Sequence, residues 1–306
     1  MSRSTLLPLI CLLAPGTVLA QQVADSSYNP VIAMPAYESG TGPTVLIDEA
    51  HHNFHTAGGR YLSFANLLRR DGYIVLPSTE AFTRDALADA DILVISNALA
   101  EENVEDWSLP THSAFDSSEI AAVRDWVADG GALMLIADHM PMPGAALELA
   151  AAFGVHFSDG FAWDTERGVG TLVFRRSDGS LVDHPITGGR NADEMVDSVV
   201  TFAGQAFRIV VEAEPLMVVP SGVTLLMPVE AWQFSEETPH LSAEGMLQGA
   251  VMCHGEGRLA LFGEAAMFSA QLGGEERRPM GMNEATAAQN YQFLLNVVHW
   301  LSGLLD

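Results

Sequence analysis

Hydrophobic residues in this chain fall in short, nearly unbroken runs separated by stretches of helical period. That alternation predicts strands buried on both faces and covered by helices. The first run, Thr44 to Asp48, is rich in β-branched residues. Behind it Tyr61, Phe64, Ala65, Leu67 and Leu68 recur at helical spacing within 59–71, and Asp71-Gly72 ends the helix. Strands are predicted at 73–76 and 91–96, with a short helix over 83–90 between them. Asp116-Ser117-Ser118-Glu119 reads as a capping box that opens a helix running to Ala128. Gly130-Gly131 stops that helix, a fourth strand follows over 132–137, and 145–153 reads as helical up to Gly154. Residues 97–111 form a polar loop longer than most connections, and long loops in compact domains often carry function.

Between 155 and 248 the period shortens. Gly- and Pro-punctuated pieces at 170–175, 198–202 and 222–227 predict β-hairpins and edge strands grafted onto the sheet, with their pairing open. The α/β rhythm then returns, with a strand at 258–262 and an amphipathic helix at 287–301 carrying Phe293, Leu294, Leu295, Val297, Val298 and Trp300. No internal repeat or distinct linker divides the chain. The expectation is one α/β domain over 44–306, preceded by a polar lead at 21–43 and interrupted by a β-rich insertion at about 155–248.

The N-terminus changes the setting. Arg3, the apolar run from Leu6 to Leu13, Pro15-Gly16 and Val18-Leu19-Ala20 read as a cleavable signal peptide over 1–20. The run is shorter than the roughly 20 apolar residues of a membrane span, and no other stretch approaches that length. A leader of this kind predicts a periplasmic or secreted protein without membrane insertion after cleavage. Loss of the leader removes Cys11, so Cys253 stands alone and no internal disulfide can form. A chain of this length can build a sufficient core without one. Cys253, in Val251-Met252-Cys253-His254, is expected to be a half-buried strand residue.

Charge narrows the chemistry. The formal net charge is −25, and all 14 basic residues are arginine. Without lysine there is no Walker lysine, Schiff-base lysine or Ser-Lys dyad. Such acidity repels phosphate backbones, which argues against nucleic acid and anionic membrane surfaces as partners. Cations, sugars, peptides and small neutral molecules stay open.

In an open parallel sheet, ligands gather outside the carboxyl ends of the strands. After the first strand comes Asp48-Glu49-Ala50-His51-His52-Asn53-Phe54-His55, after the fourth Asp138-His139-Met140-Pro141, and after the last Gly263-Glu264-Ala265-Ala266. Asp, Glu and His are the side chains that bind divalent metals or exchange protons near neutral pH. Asp138, His139 and Glu264 are therefore the catalytic candidates. Asp48, His51 (or its neighbour His52) and His55 are the candidates to hold a divalent metal such as zinc, whose open position would carry a nucleophilic water. The spacing matches no established metal signature. Three readings stand side by side: a metal site, a metal-free polar site, and a structural network that stiffens the loops. No Gly-x-Ser-x-Gly elbow is present. His184 and His240 read as turn or surface residues. Arg60, at the start of the first helix, could clamp a carboxylate at the rim or be a solvated or salt-bridged residue.

These pieces resemble the class I glutamine amidotransferase-like superfamily, in particular its exported and membrane-associated branch related to DUF4350 and GIFT domains. The likeness rests on Val45-Leu46-Ile47-Asp48-Glu49-Ala50-His51, on the capped helix ending Val127-Ala128-Asp129-Gly130-Gly131, and on Gly257 to Gly263 with the terminal helix bearing Asn290, Asn296 and Trp300. It spans roughly 43–154 and 249–304. It implies a flavodoxin-like three-layer sandwich with a mostly parallel sheet and a crevice at this edge. Catalytic members carry a cysteine or serine on the turn after the strand matching 132–137; here that turn is Asp138-His139, so glutaminase activity does not carry over. The functional expectation is an extracytoplasmic domain binding a small polar ligand, with hydrolysis, metal-dependent or not, free of a Cys or Ser nucleophile. The competing expectation is a non-catalytic module that binds an envelope protein, motivated by the acidic surface and the 97–111 loop. Fold alone does not choose between them, and the oligomeric state stays open.

Overall fold

The computed structural model describes residues 22–306, so the expected leader and Cys11 lie outside the described residues. The apolar runs become a seven-stranded sheet of β1 (Thr44–Asp48), β2 (Ile74–Ser78), β3 (Ile92–Ser96), β4 (Ala132–Ile136), β5 (Glu214–Val218), β6 (Leu247–His254) and β7 (Gly257–Phe262). Their order is β5-β6-β7-β4-β3-β1-β2. Pairing is parallel from β7 through β4, β3 and β1 to β2, while β5 and β6 extend the sheet antiparallel. The parallel strands thus follow the flavodoxin-like order, which reverses between β1 and β3.

Register decides what meets at the carboxyl edge. Ser96 stands opposite Ile136, and Ile136 opposite Phe262. The chain therefore leaves β3, β4 and β7 at one height, and Asn97, Ala137-Asp138 and Gly263-Glu264 emerge side by side.

Both faces of the central strands β3 and β4 are buried, which is why they carry no polar alternation, while the edge strand β2 leaves Ile74 and Leu76 exposed. One face packs Val45, Ile47, Val94, Met134 and Phe262 against α1 (Leu62–Arg70) and the terminal helix. The other packs Leu93, Ile95, Leu133, Leu135 and Leu261 with Val123 and Val127 of α2 (Ser117–Ala128) and with Leu149 and Phe153. The terminal helix α3 (Asn290–Leu301) buries Phe293, Leu294, Val297, Val298 and Leu301. The three-layer α/β expectation holds. Among the described residues, no helix is long and apolar enough to cross a membrane.

Three local expectations change. Residues 83–90 form turns rather than a helix: the Thr83 hydroxyl takes the Ala86 amide, and the remaining bonds are mostly of the tighter i−3 kind. The stretch expected to be helical over 145–153 is two short helices, Met142–Ala145 and Leu147–Ala151, separated by Ala146 at φ −96°, ψ 2°. Cys253 lies on β6 opposite Arg258 but is exposed, because strand alternation buries Met252 and turns Cys253 to an uncovered end of the sheet.

The insertion mostly builds sheets of its own. Leu172–Arg175 pairs with Ser198–Thr201, and Val223–Leu226 lies between Phe161–Asp164 and His240–Ser242. Only β5 joins the main sheet from within it.

Candidate functional site

The post-β1 loop divides the candidate residues into two groups. Asp48, fully buried at the end of β1, bonds through both oxygens to His51 Nδ1 at 2.9 and 3.0 Å and accepts from the Asn53 amide at 2.9 Å. His51 Nε2 meets Glu119 Oε1 at 2.9 Å. A ring bonded to a carboxylate at each nitrogen is held best when both carry protons. Burial alone would push the His51 pKa down, but the bonds and charges of Asp48 and then Glu119 outweigh it and raise it. Glu119 is also the capping-box residue: its Oε2 accepts from the Asp116 amide at 3.0 Å while Oε1 takes the Phe82 amide at 3.0 Å. Asp48, His51 and Glu119 therefore tie the post-β1 loop to the start of α2.

The second group lies where β3, β4 and β7 end. Asn97 directly follows β3 at φ +51°, a left-handed conformation that Asn tolerates better than most residues. Its Oδ1 accepts from the Asp138 amide at 2.9 Å, and its Nδ2 faces His55 Nδ1 at 3.2 Å. Burial first, then the charges of Arg60 and His139, push the His55 pKa down to about 3, so the ring is neutral. His55 Nε2 is buried and has no partner among the described residues.

Asp138 and Glu264 form a buried carboxyl pair. Glu264 accepts the Ala266 and Met267 amides at 2.9 and 2.7 Å, and Asp138 accepts the His139 amide at 2.8 Å. Burial and then the Asp138 charge push the Glu264 pKa well up, and burial raises that of Asp138 against the opposing pull of His139. Burial and the neighbouring charge thus act together to favour the protonated form of Glu264. Gly204 makes room for the pair, since a Cβ there would press on Gly263 O and the Glu264 side chain.

His139 is fixed differently. Its Nδ1 faces the Met140 carbonyl at 2.8 Å and must donate, so in the neutral ring Nε2 is an acceptor. Nε2 has no partner among the described residues and is not fully buried. Phe161 stacks on the imidazole at 4.6 Å and 11°, Trp232 meets it edge-on at 4.6 Å, and Trp107 lies 6.1 Å away. Trp232 is partly exposed and holds φ +68°, a conformation rare for a bulky residue. Beyond it Asp159 accepts from Thr111 Oγ1 at 2.6 Å, its other oxygen unpartnered among the described residues, and burial raises its pKa.

Arg60 clamps no carboxylate. Its guanidinium lies 3.7 Å from the Phe54 ring and donates through one terminal nitrogen to the Phe54 carbonyl at 3.2 Å, while its buried Nε has no partner among the described residues. His184 caps the short helix Pro185–Gly188, and His240 is an exposed strand residue. Among the described residues, no group of three or more His, Cys, Asp or Glu side chains is placed to hold a metal ion. Sequence reading missed Asn97, Glu119, Asp159 and Trp232 as parts of the site. Only Asn97 carried a usable signal, its place directly behind a predicted strand.

No protein-family model matches the chain, and no curated protein does. Solved structures do match. The chain is similar to the mmIFT52 N-terminal domain at TM-score 0.59 and 12% identity, over 84% of this chain and 97% of that one. Cytoplasmic protein STM3548 from Salmonella typhimurium matches at TM-score 0.49 and 13% identity, over 85% and 98%. A ThuA-like protein from Bacteroides uniformis ATCC 8492 matches at 0.47 and 13%, over 87% and 94%. At these identities the likeness is one of fold. The structural neighbours are class I glutamine amidotransferase-like domains, so the likeness that the residues around β1, α2 and β7 had implied is found at the level of fold.

Proposed function

We propose that this domain, on its class I glutamine amidotransferase-like scaffold, works outside the cytoplasm, binds a small polar ligand beside His139 and hydrolyses it by direct attack of water. The observation that carries the reading is the bond from His139 Nδ1 to the Met140 carbonyl, which leaves Nε2 as a proton acceptor at the rim. Water gives its proton to Nε2 as it attacks, and the imidazolium returns that proton to the leaving group. The buried Asp138 beside His139 favours the transient cation. None of Asp138, Asp159 and Glu264 has a salt-bridge partner among the described residues, and burial raises the pKa of all three, which favours their neutral forms. Export is supported by the leader-like N-terminus. The mechanism uses no metal: His51 has both nitrogens engaged by carboxylates, and Asp48 is already bound to His51 and Asn53.

A panel of uncharged chromogenic esters, amides and glycosides tests this. Turnover is expected with at least one of them, and His139→Gln should lower it by about 10²- to 10⁴-fold at an unchanged melting temperature. Equal turnover in the variant would overturn the reading. So would stoichiometric zinc or manganese in protein purified without a histidine tag, if its removal abolished activity.

A second reading has its own observation. Leu109, Val229, Trp232 and Phe234 are exposed on the paired loops next to His139, and apolar side chains gathered at a rim suit a protein partner. An envelope protein recovered stoichiometrically with the wild type, and lost with Val229→Asp, would favour this non-catalytic module.

A further inference from the structure

The hydrogen bonds at the rim run in forced directions. The Asp138 amide can only donate, so the Asn97 atom facing it must be the carbonyl oxygen Oδ1. That turns Asn97 Nδ2 toward His55, where it donates to Nδ1 at 3.2 Å. A neutral imidazole that accepts at Nδ1 carries its proton on Nε2. His55 Nε2 is therefore an N–H donor, buried and without a partner among the described residues, in a side chain only 2% exposed. Buried donors of this kind are rare in folded proteins and call for a partner.

His139 is the mirror case, since Nδ1–H donates to Met140 O and Nε2 accepts. The two rings belong to one neighbourhood. Asn97 bonds to both His55 and the Asp138 amide, and the rings Phe54, Trp107 and His139 follow one another at 5.7 and 6.1 Å. The site thus offers a neutral donor at His55 Nε2 and a neutral acceptor at His139 Nε2, and the buried Nε–H of Arg60, whose charge acts on His55, is a further donor without a partner among the described residues.

We propose that His55 is a ligand-binding residue whose Nε2–H donates to an acceptor oxygen of the ligand, leaving His139 Nε2 free for the attacking water. This rests on the reading of the rim as a ligand site and adds to it the acceptor oxygen that the ligand must carry. Purely donating cations leave His55 unmet.

Three isosteric probes separate the outcomes: acetamide, acetate and acetamidinium, titrated into the full chain labelled with ¹⁵N-histidine and followed at the ring nitrogens. Without probe, His55 is expected to be protonated at Nε2 and His139 at Nδ1; protonation of His55 at Nδ1 overturns the proposal. Acetamide and acetate, which carry an acceptor oxygen, should move His55 Nε2 saturably, and acetamidinium, which has none, should leave it in place. If acetamide moves only His139, the role of His55 fails while the rim survives as a ligand site. If it moves neither, the ligand site fails as well. A response of His55 to acetamidinium equal to its response to acetamide overturns the proposal. His55→Phe should weaken acetamide at least tenfold, and His55→Gln, which keeps a donor near the position of Nε2, should retain most of the affinity. Loss of affinity in both variants alike would mark a structural role instead.

Discussion

Asp138 and Glu264 sit where the strands end, with backbone amides for company and no salt-bridge partner among the described residues. Burial is the larger influence on Glu264 and the Asp138 charge the second. Asp138→Asn keeps an oxygen for the His139 amide and removes that charge, so Glu264 should titrate at lower pH. A ¹³C titration of the Glu264 carboxyl reads this directly, and an unmoved midpoint would show that Asp138 is already neutral when Glu264 ionises. These two residues and His139 were legible in the sequence because each directly follows a strand that its apolar run announces. Glu119 and Asp159 were not. Glu119 reaches His51 across 68 positions and Asp159 reaches Thr111 across 48, and nothing local signals either contact.

Among the elements, α2 shows how a local pattern can be read completely and still understate its role. Asp116 accepts the Ser118 and Glu119 amides at 2.7 and 2.9 Å, as the capping box predicts. Asp116→Ala should cost about 1 kcal/mol of stability by urea denaturation, typical of a lost N-cap. Because Glu119 also holds His51 and Phe82, Glu119→Ala should cost more than the cap alone. Equal losses would mean the His51 bond adds nothing. The parallel strands and their covering helices were legible because burial on both faces writes an unbroken apolar run. The 83–90 segment was misread because an Ala- and Asp-rich stretch with little apolar face has helical propensity but little to pack. Pairing within the insertion was illegible because short alternating strands do not encode which partner they take.

For the whole molecule, two histidines pull stability in opposite directions with pH. His51 has a raised folded pKa, so its contribution is complete below the unfolded value of about 6.5 and is lost as pH rises through the folded value. His55, lowered to about 3, contributes above about 6.5 and loses that contribution as pH falls toward 3, a span worth roughly 5 kcal/mol in all. Urea midpoints from pH 5 to 9 should therefore decline on both sides of neutrality. His55→Gln is expected to flatten the acid limb and His51→Gln the alkaline limb; the reverse assignment would contradict the described bonding. The left-handed turn at Asn97 has a consequence beyond stability. Its amide orients every donor and acceptor from the Asp138 backbone to His55, while Met140 orients His139 the opposite way. The rim therefore has a polarity, like a socket that takes its plug one way round. A molecule entering it is sorted by the order of its functional groups, so two positional isomers of equal size and charge should be told apart.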